Sequence, residues 1–116
     1  MKVAFFGALP AVAFAWCAVA QQPDMTMDAE NLLSICTTAH PDAVGFCNGF
    51  MQAAHDWPGG DDLRVCAPPG TTRTQLAMLY EQQAPELFAQ YPGAGIEREP
   101  AIIVARIILV GAFPCD

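Results

Sequence analysis

Positive charge is almost missing from this chain. Lys2 is its only lysine, and Arg64, Arg73, Arg98 and Arg106 are the only other cations against twelve Asp and Glu in 116 residues. Such a balance repels phosphate backbones and anionic bilayers, which excludes nucleic acid and acidic membrane as partners and suits a basic protein. Metal and cofactor motifs are missing too. There is no C-x-x-C or H-x-x-x-H, the cysteine gaps fit no zinc finger or ribbon, and C-x-x-C-H for haem attachment does not occur. Gly59 and Gly60 are followed by Asp61 and Asp62, which would repel a phosphate. No spaced set of oxygen ligands follows those aspartates, so calcium has no loop. No cofactor and no metal are therefore expected. Alternating strand-type patterning and internal repeats are also lacking.

What is present begins with an export signal. Lys2, an apolar run over 3–16 and Ala18-Val19-Ala20 read as a signal peptide over residues 1–20, cleaved before Gln21. An uncleaved membrane anchor over the same stretch is the competing reading. Trp16 is too bulky to precede a lipid-bearing Cys17. Cleavage leaves residues 21–116 as one domain, with twelve acids against four arginines, a balance of −8. It also removes Cys17, so Cys36, Cys47, Cys66 and Cys115 remain. An even number in a small exported chain reads as two disulfides, and four cysteines allow three connectivities.

Hydrophobic periodicity predicts four helices. The first runs from near Thr26 to His40, with Leu32, Ile35, Cys36 and Ala39 on one face. Pro41 and Asp42 open a second that reaches Trp57. It carries two adjacent apolar stripes: Val44, Cys47, Met51 and Ala54, then Phe46, Phe50, Ala53 and Trp57. Gly45, Gly49 and Ala53 recur every four residues. Since helical glycine costs about 1 kcal/mol against alanine, close approach of another backbone is expected there. Residues 58–62 break the pattern. Thr72 and Gln75 form a capping box for a third helix, which Pro85 either kinks or restarts. A glycine-rich loop over 91–99 precedes the fourth helix, opened by Pro100 and ended by Gly111 and Pro114. Its apolar run of about ten residues falls short of the roughly 20 that cross a bilayer.

The expected fold is an all-α four-helix bundle stapled by two disulfides. In up-down-up-down order the end of helix one meets the start of helix two, favouring Cys36–Cys47. The opposite pole gathers the end of helix two, the start of helix three and the end of helix four, favouring Cys66–Cys115.

Chemistry-bearing residues are few. All four remaining cysteines are expected in cystines rather than as thiolates with a base beside them. His40 sits at a helix junction and His55 on a polar face. No enzyme is expected. Two surfaces remain. Tyr91, an exposed Ile96, Glu97, Arg98 and Glu99 lie on the glycine-rich 91–99 loop, the kind of segment that carries binding residues on a rigid scaffold. Helix four is apolar around most of its circumference. Either full burial or a homodimer interface would cover it, with Arg106 at the interface edge.

The segments L-L-S-I-C, G-F-C-N-G-F-M-Q-A, C-A-P-P-G-T-T-R-T-Q-L and the closing A-F-P-C occur in that order between about Ala29 and Cys115. Together they resemble the Rap/Tai family of immunity proteins, which neutralise peptidoglycan amidase effectors of type VI secretion systems. The resemblance implies a periplasmic, disulfide-bonded four-helix protein, often dimeric, that occludes an amidase cleft. It further implies that the loop between helices three and four enters that cleft, here residues 91–99. This chain departs from the family pattern over 83–95, where it is longer and carries Pro85. The expected function is thus a periplasmic inhibitor of a cell-wall amidase. The alternative is a small periplasmic stress chaperone that holds unfolded clients on helix four.

Overall fold

The structure is a computed structural model and describes residues 26–57 and 63–116. The expected signal peptide with its cleavage point, the 21–25 lead-in and the 58–62 break lie outside the described residues. Four helices form: α1 (Ala29–Cys36), α2 (Pro41–Asp56), α3 (Arg73–Gln90) and α4 (Ala101–Ala112), with a 3₁₀ turn at Ile96–Arg98 before α4. Among the described residues the only β-type pairing is an isolated bridge between Asp28 and Pro100. The fold is all-α, as its periodicity predicts.

Local chemistry sets each boundary. The Asp28 carboxylate accepts from the Asn31 N–H at 2.7 Å, so α1 starts at Ala29 rather than near Thr26. Its end comes early as well, because Thr37 and Thr38 turn their hydroxyls back onto the Leu33 and Ser34 carbonyls. His40 Nδ1 accepts from the Asp42 N–H at 3.2 Å and caps α2, with Pro41 in the first turn. The capping box of α3 is complete: Gln75 Oε1 accepts from the Thr72 N–H at 2.8 Å and Thr72 Oγ1 from the Gln75 N–H at 3.1 Å. Pro85 lies exposed inside α3, which continues through it as one helix.

α4 is the central helix, packed against the other three. Its Ala101, Val104, Ala105, Ile108 and Leu109 are buried against Leu32 of α1, Cys47, Met51 and Ala54 of α2, and Leu76 and Tyr80 of α3. The disulfides pair Cys36 with Cys47 and Cys66 with Cys115, as the bundle order favours.

Three expectations are corrected. The order is not strictly up-and-down. Ala29 N–H donates to Glu99 O at 2.9 Å and Ala101 N–H to Met27 O at 2.8 Å, so α1 and α4 start side by side. An alternating order would put those starts at opposite ends. The pairing of Cys36 survives because it needs only the short 37–40 link. Next, Gly45 and Gly49 mediate no close packing among the described residues: a Cβ at either would meet none of them within 4 Å. Finally, Arg106 does not lie at an exposed edge of α4. It is 5% exposed, and its guanidinium donates to Ala54 O at 2.8 Å and Leu63 O at 2.6 Å. It thereby joins the last turn of α2, where free carbonyls favour a cation, to the connector beyond.

Candidate functional site

The loop between α3 and α4 has a fixed base and an open tip. Gly93 and Gly95 take φ of 81° and 73°, the left-handed region that glycine occupies without strain. Ala94 N–H donates to Tyr91 O at 3.2 Å, Arg98 N–H to Gly95 O at 3.0 Å and Glu99 N–H to Ile96 O at 3.1 Å, which wind 91–99 into two tight turns. The base is tied to the start of α1 by the Ala29–Glu99 and Ala101–Met27 backbone bonds. Below it Tyr80, fully buried, donates its hydroxyl to Ala29 O at 2.7 Å. Burial, and secondarily the Asp28 carboxylate, hold that phenol's pKa well above its ordinary value. Tyr80 is therefore a strut that fixes the α1 start against α3, and through α1 the loop.

The five loop residues singled out in the sequence divide between two roles. Tyr91 is 50% exposed, and Arg98 and Glu99 point into solvent. Glu97 is half-buried. Ile96, expected to be exposed, is half-buried and packs on the core, because the 3₁₀ turn rolls its side chain inward. The tip available to a partner is thus residues 91–94 with Arg98 and Glu99 beside them. Tyrosine at such a tip combines a large apolar body with a hydroxyl for a final hydrogen bond. A shallow groove of about 150 Å³ lies between α3 and α4, lined by Leu87, Gln90 and Ile107 among others.

Elsewhere the chemistry is sparse. A concavity of about 430 Å³ lies between Pro68–Thr71 and Phe113. Its one polar side chain besides Thr71 is Gln75, already committed to the capping box. His55 Nδ1 stands 2.7 Å from Asp56 Oδ1, and the four cysteines near or far are joined in cystines. His40 is committed to capping α2. Among the described residues no three His, Cys, Asp or Glu gather where they could hold a metal ion. No helix of the described residues is long and apolar enough to cross a membrane.

Two features escape a sequence reading. The backbone bonds that brace the loop through α1 leave no residue signature. The second apolar stripe of α2 stays on the surface, with Phe46 and Trp57 about half exposed at 47% and 51%. Glycine beside those aromatics is the signal that could have marked it. No curated protein and no solved structure matches the chain. A family model described as Rap1a immunity proteins matches residues 28–115, from the Asp28 cap of α1 to the last cystine.

Proposed function

The chain belongs to the Rap1a immunity protein family, and on that premise we propose that it protects its cell by occluding a secreted peptidoglycan amidase in the periplasm. Membership supports the coarser statement, an immunity protein directed at a secreted effector. The finer reading rests on one observation: an exposed aromatic tip, Tyr91, on a loop whose base is braced by backbone bonds to α1. A braced loop loses little conformational entropy on binding, which leaves more of the contact energy for affinity. Tyr91, Arg98 and Glu99 make the contacts, Ile96 holds the tip up from beneath, and Glu97 closes its side. The acidic surface raises the association rate with a basic effector and makes that rate salt-dependent.

The protein contributes binding, with no residue assigned a catalytic part. A chaperone working through α4 would need a broad apolar surface there, and α4 exposes only Ile103 and Ile107 among its large side chains. The test is protection. Cells that export a peptidoglycan amidase effector of the producing cell should survive when they also export the chain. Cells that retain the chain from Gln21 in the cytoplasm should lyse. Lysis in both, or survival in both, would overturn the periplasmic reading.

A further inference from the structure

A cleft of about 140 Å³ lies between the last turns of α2 and the start of α3. Gln52, His55 and Asp56 line it from α2, and Thr71, Arg73 and Leu76 from the α3 side. The 91–99 loop stands at the other end of α3, 18 residues or about 27 Å along the helix. The cleft's two walls carry opposite charges that do not pair. Among the described residues Arg73 has no ion pair or hydrogen bond, and Asp56 meets only His55, whose Nδ1 is 2.7 Å from its Oδ1. That contact leaves Asp56 Oδ2 and His55 Nε2 open. The Gln52 amide is uncommitted as well, and Leu76, 4% exposed, gives the cleft an apolar base.

We propose that this cleft binds a small free α-amino acid, its carboxylate on Arg73, its ammonium on Asp56 and its short side chain against Leu76. A ligand of one charge fits poorly. Phosphate or a bare carboxylate would meet Asp56, and an amine or metal ion would meet Arg73. An α-amino acid carries both charges a few atoms apart, so it answers both walls at once. The Arg73 guanidinium is a planar fork that matches a carboxylate. Asp56, steadied by His55, accepts from the ammonium, and the Gln52 amide can donate to the second carboxylate oxygen. Volume limits the side chain. About 140 Å³ is well below the ~300–1,000 Å³ of pockets that enclose drug-sized molecules. It equals about five water volumes of ~30 Å³ each, the scale of glycine or alanine. Arg73 and Asp56 are exposed and stay partly hydrated, which sets the affinity at about millimolar.

The chain from Gln21, isotope-labelled and with both cystines intact, is titrated with glycine and with alanine through the millimolar range. Nuclear magnetic resonance follows the Arg73 Nε–H, the Gln52 side-chain amide and the His55 ring. The expected result is saturable shifts confined to the cleft. Acetate and methylammonium, which carry one charge each, should bind at least about tenfold more weakly than glycine. Arg73→Gln and Asp56→Asn should each weaken glycine at least about tenfold and keep the thermal midpoint, since both side chains are exposed. Arg64→Gln, at another exposed arginine, should bind glycine as the parent does. No saturable shift, acetate bound as tightly as glycine, or unchanged glycine binding in Arg73→Gln would each overturn the proposal.

Discussion

Replacing Arg106 by Met tests how a cation comes to be buried in a small acidic bundle. Met keeps much of the apolar stem and removes the guanidinium. The two carbonyls it serves differ in what they lose. Leu63 is 43% exposed, so water can take over its carbonyl, whereas Ala54 is 0% exposed and its carbonyl cannot be rehydrated without opening the core. An unmet buried acceptor costs about 1–3 kcal/mol, and loss of a cation at the end of α2 adds up to about 1 kcal/mol more. Against this stands the relief of no longer desolvating a charge, which in some proteins makes an apolar replacement neutral. Here the orphaned Ala54 carbonyl decides the sign. Arg106→Met should lose about 3 kcal/mol in urea unfolding followed by far-UV circular dichroism with both cystines intact. For a domain this size that lowers the thermal midpoint by roughly 10–20 °C. Arg106→Lys should fall between, since one ammonium cannot span both carbonyls as a planar fork does. A loss under about 1 kcal/mol in Arg106→Met would refute the reasoning.

Other outcomes follow from the same structure. Tyr80→Phe removes the hydroxyl's bond to Ala29 O and should cost about 0.5–1.5 kcal/mol by denaturant titration. Because the folded state holds the Tyr80 pKa above its ordinary value of 10.0, its contribution is full below that pH and falls away as pH rises past it. The alkaline loss of stability should be smaller in Tyr80→Phe. Gly45→Ala, exposed with an unobstructed Cβ site, should raise stability by up to about 1 kcal/mol by thermal melting. Removing the Cys66–Cys115 cystine, whose ends are 49 positions apart in sequence, should destabilise more than removing Cys36–Cys47, 11 apart. Loop entropy sets those losses at about 4 and about 3 kcal/mol as upper figures, read from denaturation of the paired Cys→Ala variants.

Much of this was legible because it is local. Thr72 and Gln75 announce their own capping box, and the short link between Cys36 and Cys47 fixes their pairing whatever the helix order. What was not legible depends on neighbours that periodicity does not name. The two apolar stripes of α2 look alike in sequence, and only the packing of α4 against Cys47, Met51 and Ala54 selects which is covered. Ile96 read as exposed because glycines surround it, but a 3₁₀ turn carries it inward. Arg106 read as a charge at the edge of an interface on helix four; the free carbonyls at the end of α2 gave it somewhere to go inside. The loop itself was identified by composition, yet its rigidity comes from bonds to Met27 and Ala29, far away in the chain.

The central claim is that the tip of the 91–99 loop blocks an amidase. The measurement that bears on it most directly is a titration of peptidoglycan hydrolysis by a secreted amidase effector of the producing cell against the chain from Gln21 and its Tyr91→Ala variant. The account predicts stoichiometric inhibition by the parent chain, at least about tenfold weaker inhibition by Tyr91→Ala, and thermal midpoints that agree, because Tyr91 is half exposed and supports no other element. Equal inhibition by the two proteins would remove the loop from the mechanism, and no inhibition by either would contradict the account.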